Sequence, residues 1–505
     1  MPSFDSLRRS LGVAILLVVL ALCLRLAPIS NESVDGDELF SRRVAMAETS
    51  QAWNLIRQDL VHPPLYYLVL KVMLPKRNPA SALDIRLLSL TAGTASIVLV
   101  ILAGCIEAPL RGPAILAAFL LALNKTHIFY SQQARSYALF CFLAGMLLLW
   151  SFPMDRYGHK WRYWLAGTTL MVVLLYTHYF GVFYCAAVVF PVVLTNRPKR
   201  LRIHAAASLA LAFAAFLPWL YQVIPVYRNK SGVSSNLEWQ GLTTLYDLKM
   251  TLADYLGIPN FSGATSLVLL LGAALIAVAL LPALRGENER LDSRAKITLA
   301  LMALMPPLLA FILSRWPFSL PIFGERHVLP SILAALLLVC RGLWRLASWV
   351  PKPLRVPILG IGAILLSVLQ ALPLWNSWPG PSREPYAAIA DWLRHTDLDF
   401  PVYTTWPYGI GEPVAFYLER SRRIDELPVD PAKLPEKCIV LYRPEARGEN
   451  AAMDRLRDRF DITWEKYYSA HNSRWGTRLL VLQKRNAAGH PYQRVSLNRG
   501  LPSFR

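Results

Sequence analysis

Two short polar groups stand out in the interval Asn31–Lys71, between two long apolar runs. One is Asp35-Gly36-Asp37-Glu38; the other is His62-Pro63-Pro64-Leu65-Tyr66-Tyr67. A carboxylate can take the proton from an acceptor as it attacks, so Asp35 and Asp37 are both candidate bases. The competing role is structural. Asp35-Gly36-Asp37 can be a turn that caps a helix, with Glu38 capping or orienting, and an acid suits a helix N-terminus. Further polar groups interrupt apolar sequence at Lys125-Thr126-His127, Gln132-Gln133-Ala134-Arg135-Ser136-Tyr137, Thr177-His178-Tyr179 and Gly324-Glu325-Arg326-His327. Arg135 and Arg326 are suited to an anion, since arginine holds phosphate through parallel hydrogen bonds. Each has a plainer alternative: Arg135 snorkelling at an interface, Tyr137, His178 and Tyr179 as belt or packing residues, Glu325-Arg326 as a local ion pair, and His62 as a turn residue.

The elements that must carry these residues are membrane helices. The chain is 505 residues, 54% hydrophobic and only 17% charged, against about 25% charged in soluble domains. Its apolar runs approach the roughly 20 residues that a bilayer-spanning helix needs. Eleven spans are expected, at 10–28, 83–104, 112–127, 134–151, 162–177, 179–195, 203–223, 264–284, 296–314, 327–347 and 354–374. Lysine and arginine set the orientation. Arg8 and Arg9 place the N-terminus in the cytoplasm. The clusters at Arg156–Arg162, Arg197–Arg202, Arg285–Lys296 and Arg341–Arg355 then fall on the same side. The acid cluster, His62, Arg135, His178 and Arg326 collect on the other side. The net charge of +20 is thus assigned to topology and lipid head groups, not to nucleic acid.

Leu39 to Gln58 reads as one amphipathic helix, and Pro63 to Leu74 as a short interfacial helix with His62 just outside it. The membrane region is expected over 1–375, with its first outer loop at 30–82. Residues 382–484 read as a small extracytoplasmic α/β domain, with a helix at Tyr386–His395 and strands at Val402–Trp406, Cys438–Tyr442 and Leu479–Leu482. Residues 485–505 read as a disordered tail. The first apolar run reads as an uncleaved signal anchor. The six cysteines form no disulfide or zinc pattern. Four Asn-x-Ser/Thr sites, at Asn31, Asn124, Asn229 and Asn260, fall at or near the outer side.

The order of these features resembles the GT-C superfamily of polyprenyl-phosphate-sugar-dependent glycosyltransferases. The likeness is to the branch of protein O-mannosyltransferases and lipid A aminoarabinose transferases. It is carried by Asp37-Glu38 after the first span, His62-Pro63-Pro64-Leu65-Tyr66-Tyr67, Arg86 opening the second span, Gln132-x-x-Arg135-x-Tyr137, and Arg326 with Pro330. Where some relatives have lysine before the proline, this chain has His62. The resemblance implies that Asp37 is the catalytic base of an inverting hexosyl or pentosyl transfer, from a polyprenyl phosphate to a glycan, lipid or protein acceptor outside the plasma membrane. The phosphate leaving group needs cations and donors to stabilise its charge. Asp35, Glu38, His62, Arg135, Tyr137, His178, Glu325 and Arg326 are the expected substrate-binding residues. Asp35, Asp37, Glu38, His62 and His127 could in principle form a metal site. The branch implies catalysis without a metal, and no cofactor is expected.

Two other functions are compatible with many spans. A transporter or flippase tends to place ionisable groups near the bilayer midplane and to show repeat symmetry, whereas here the groups lie at one surface and no repeat is visible. A sensor or assembly component would use the α/β domain as a binding module.

Overall fold

A computed structural model describes residues 4–27, 29, 32–59, 61–74, 81–229, 243–257, 264–282, 291–315, 322–377, 385–418, 421–444, 449–469 and 476–485. Of the expected tail at 485–505, Arg485 is described and bonded to Arg459 and Asp461, while 486–505 and the sequons at Asn31 and Asn260 lie outside the described residues. The chain divides into two compact units, Met1–Ile29 with Ser41–Asn376, and Ser30–Phe40 with Ser377–Arg505. The acid segment therefore belongs with the C-terminal residues and not with the membrane region to which the sequence assigned it.

The first unit is helical. In chain order its helices are α1 (Phe4–Leu26), α2 (Gly36–Met46, within which the division falls), α3 (Thr49–Asp59), α4 (Leu65–Met73), α5 (Ala82–Ile106), α6 (Arg111–Leu123), α7 (Lys125–Ser131) and α8 (Tyr137–Ser151). There follow α9 (Trp161–Thr177), α10 (Gly181–Leu194), α11 (Lys199–Asn229), α12 (Leu245–Tyr255), α13 (Ala264–Leu280), α14 (Ser293–Arg315), α15 (Ser331–Ser348) and α16 (Lys352–Ser377). Among the described residues five helices are long and apolar enough to cross a membrane, or six if α6 and α7, bent by 64° at Asn124, count as one span. Four shorter apolar helices accompany them: Leu11–Leu26, Tyr137–Ser151, Gly181–Leu194 and Thr265–Leu280.

Helix starts follow local chemistry. Ser81 and Asp84 form a reciprocal capping box at the start of α5, and Thr244 and Asp247 do the same for α12. The single amphipathic helix expected over Leu39–Gln58 is two helices, broken at Ala47–Glu48 and restarted at Thr49. Hydrophobic periodicity alone does not reveal such a break. The α6–α7 bend is pinned by a buried arginine of α1. Arg25 Nη1 donates to the carbonyls of Ala21 (2.9 Å) and Ala122 (3.4 Å), its Nε donates to Ser131 Oγ (3.3 Å), and its Nη2 lies 2.7 Å from His127 Nδ1. The side chain of Asn124 caps α7 and also donates to the Asp254 carbonyl at 2.8 Å. It is fully buried, so this sequon is closed to a glycan in the folded chain.

The basic clusters do more than mark topology. Arg345 of α15 donates to the carbonyls of Val278, Leu281 and Pro282 at 2.7–2.9 Å, satisfying the C-terminal end of α13. Arg294 donates to the carbonyls of Ser151 and Phe152. Both arginines are buried.

The second unit is built on a five-stranded sheet in the order β2-β1-β3-β5-β4. The strands are β1 (Val402–Thr404), β2 (Ile424–Glu426), β3 (Lys437–Tyr442), β4 (Phe460–Ser469) and β5 (Gly476–Lys484). β1 runs parallel to β2 and β3, while β5 runs antiparallel to β3 and β4. The continuous apolar run of β3 reflects burial on both faces. Ile439 and Leu441 enter a core with α17 (Tyr386–His395) and α18 (Glu412–Leu418). The alternate residues Cys438, Val440 and Tyr442 enter a second core with Met453 and Leu456 of α19 (Glu449–Arg457). The strands β2 and β4 were not expected from sequence: β2 is three residues long, and β4 is an edge strand carrying Asp461, Glu465 and Lys466.

Candidate active site

In the first unit the polar interruptions converge. Pro64 caps α4 and holds His62 outside the helix, where the imidazole is buried with Nε2 3.3 Å from Tyr137 Oη and Nδ1 3.4 Å from Ser136 Oγ. Arg135 lies in the turn before α8. Its carbonyl accepts from Ser89 Oγ (3.1 Å), and its Nη1 donates to Tyr67 Oη (3.0 Å), which in turn donates to Asp59 (3.3 Å). The paired tyrosines of α4 thus serve the site, since Tyr66 Oη also lies 3.0 Å from Ser89 Oγ.

His178 caps α9 and stacks on Phe140, with ring centroids 4.5 Å apart. Its ring lies 5.2 Å from that of His62 and 5.4 Å from that of His327. Its Nδ1 accepts from the backbone N–H of Phe180 at 3.2 Å, so the neutral ring carries its proton on Nε2. That nitrogen is buried with no hydrogen-bond partner among the described residues. Arg326 lies over the Tyr137 ring, 5.9 Å from its centroid, and its Nε donates to His327 Nε2 at 3.3 Å. His327 Nδ1 donates to the Ile322 carbonyl at 2.7 Å. Burial first, and neighbouring positive charge second, hold the histidines neutral. His62 is pushed well below the usual histidine range by burial and Arg135, His178 by burial, His327 and Arg326, and His327 to about 3 by burial and Arg326. Neutral donors beside two arginines suit an anion.

The loop carrying Arg326 is held by tyrosines. Tyr130 Oη donates to Glu325 Oε1 at 2.8 Å, and Tyr255 and Tyr184 both donate to the Val328 carbonyl, at 2.7 and 3.1 Å. Glu325 is also hydrogen-bonded to Asp254 of α12. Burial first, and the charge of Glu325 second, raise the Asp254 carboxyl well above its usual range. Glu325 thus pairs with Tyr130 and Asp254, a different role from the local ion pair with Arg326 weighed from the sequence.

In the second unit the acid segment opens α2. Glu38 N–H donates to Asp35 Oδ1 at 2.8 Å, and Asp35 N–H donates to Glu38 Oε2 at 3.4 Å, a reciprocal cap. Both flanking acids are engaged in capping the start of α2. Asp37 is half-buried in the first turn of α2.

The structure therefore brings His62, Arg135, Tyr137, His178, Glu325 and Arg326 into one cluster of the first unit. Asp35, Asp37 and Glu38 share one helical turn of the second. His127 is instead engaged by Arg25. Among the described residues no three His, Cys, Asp or Glu side chains form a group suited to a metal ion. Sequence reasoning missed Asp254, Tyr130, Tyr184 and Tyr255. An acid inside the amphipathic Leu245–Tyr255 stretch was the one available signal for Asp254.

No protein-family model matches this chain, and no curated protein matches it by sequence. Solved structures match its fold. The apo structure of ArnT from Cupriavidus metallidurans superposes with a TM-score of 0.54 at 12% identity, covering 94% of this chain and 98% of that one. The same protein bound to undecaprenyl phosphate gives 0.52 at 13% identity, over 95% and 99%. The archaeal oligosaccharyltransferase AglB from Archaeoglobus fulgidus, in complex with an inhibitory peptide and a dolichol-phosphate, gives 0.51 at 12% identity, over 94% and 74%. The fold is the one these ArnT and AglB structures share.

Proposed function

We propose that the protein is an inverting glycosyltransferase that moves a sugar from a polyprenyl-phosphate carrier to an acceptor outside the plasma membrane. The observation that carries this reading is a cluster of three buried, neutral histidines with the buried Arg135 and the partly exposed Arg326, within a GT-C-like fold. Two of the matching structures contain polyprenyl phosphates, and such a phosphate is an anion that arginines and histidine N–H groups can hold.

Arg135 and Arg326 hold the donor phosphate, His62 and the Nε2–H of His178 add hydrogen bonds, and Tyr137 and Glu325 line the site. Asp37 removes the proton of the acceptor hydroxyl or amine as it attacks the anomeric carbon. The C–O bond to phosphate breaks, and the phosphate leaves as an anion stabilised by the arginines. Asp35 and Glu38 keep the first turn of α2 in place. A single displacement inverts the anomeric centre. In this reading the chain spans the membrane eleven times from a cytoplasmic N-terminus, and the α/β unit is extracytoplasmic.

The direct test is incubation of the purified protein with labelled polyprenyl-phosphate sugars and membrane extract. The reading requires label to leave the carrier and appear in an acceptor with inverted configuration. Failure of every hexosyl and pentosyl donor to react would contradict it.

A further inference from the structure

We infer that the C-terminal α/β unit positions the proposed base: the first turn of α17, the turn after β1, and α18 anchor the four residues that lead into Asp37. This rests on the reading of Asp37 as the base. All the groups involved belong to the same compact unit. The segment Ser33–Asp35 has no regular structure of its own, so its buried backbone needs partners from elsewhere. They come from more than 350 residues away. Val34 N–H donates to Tyr417 Oη at 2.7 Å. Ser33 Oγ accepts from the Ala387 N–H at 3.2 Å, at the first turn of α17. Ser33 and Val34 are buried.

The third contact is steric. A Cβ on Gly36 would lie 2.6 Å from the carbonyl oxygen of Tyr408, so the backbone of the acid segment rests on the turn Pro407–Gly411. That turn is itself braced. Tyr386 Oη donates to the Gly409 carbonyl at 2.9 Å and accepts from Arg443 at 2.9 Å, and Arg443 also covers the Trp406 ring. Tyr417, Tyr386 and Val414 pack with the sheet core. A rigid core thus reaches Ser33, Val34 and Gly36, while the Asp35–Glu38 cap fixes the next turn. Together these leave the Cα–Cβ direction of Asp37 little freedom, as a catalytic group requires. The unit is in this sense part of the catalytic machinery, with Tyr417, Ser33 and Gly36 as positioning residues.

The test uses full-length protein carrying Tyr417→Phe, Ser33→Ala, both together, or Gly36→Ala. Hydrogen exchange of residues 32–40, binding of undecaprenyl phosphate and transfer from labelled polyprenyl-phosphate sugars are measured for each. The double variant is expected to exchange at least about tenfold faster over 32–40. Its turnover number is expected to fall by about 10–100-fold while the KM for donor and the affinity for undecaprenyl phosphate stay within about twofold. Unchanged exchange, or faster exchange with unchanged turnover, overturns the inference. If the double variant does not fold, Tyr417→Phe alone and Gly36→Ala are read by the same criteria. An active Asp37→Asn enzyme would remove the base reading, whereas the exchange result would still decide whether the unit anchors the segment.

Discussion

His178 shows how a single hydrogen bond can fix a residue's role. Because its Nδ1 is taken by the Phe180 N–H, its Nε2–H is left as a buried donor with no acceptor among the described residues. Such a group is costly in the empty site and favourable once an anion arrives. His178→Ala is expected to weaken undecaprenyl phosphate binding by about tenfold, consistent with loss of one charge-assisted hydrogen bond. Titration of the purified variant with the lipid measures this, and unchanged affinity would exclude the histidine from the phosphate site. Arg135, Tyr137, His178 and Arg326 were legible because polar side chains interrupting apolar runs have few structural uses. Asp254 and Tyr130 were not. Their partnership with Glu325 joins elements far apart in sequence, and no local pattern encodes it.

At the scale of elements, the loop that bears Arg326 meets α12 through Glu325 and the Asp254 carboxyl. The Asp254 carboxyl is raised by burial and by Glu325, and is lowered in part by Lys125; Tyr130 faces Glu325 from α7. A carboxyl with a raised folded-state value binds more protons folded than unfolded. Its contribution to stability is therefore present in acid and lost as pH rises from the usual carboxyl range through the raised value. Asp254→Asn keeps a donor to Glu325 and is expected to abolish that loss. In thermal unfolding against pH, the melting temperature of the wild type should fall relative to that of the variant as pH rises; parallel curves would contradict the raised Asp254 carboxyl. The buried histidines act in the opposite sense. The unfolded chain takes up their protons below about pH 6.5, so folding weakens as pH falls from there towards the value of about 3 held by His327. Helices were readable from apolar runs and strands such as β3 from a continuous apolar stretch. The break between α2 and α3 and the edge strand β4 were hidden, because capping and tertiary pairing override periodicity there.

For the whole molecule, sequence indicated a helical membrane region followed by an α/β region, yet the compact units are not contiguous in sequence. Nothing local to Ser30–Phe40 announces that its partners lie near residues 387, 408 and 417. The proposed topology predicts that a reporter enzyme active only outside the cytoplasm will be active when fused after residue 485 and inactive when fused at the N-terminus; the reverse pattern would refute that orientation.

The account depends most on Asp37. In Asp37→Asn protein that binds undecaprenyl phosphate normally, transfer of label from a polyprenyl-phosphate sugar is predicted to fall by about 10²–10⁴-fold. Transfer near the wild-type rate in that variant would contradict the account.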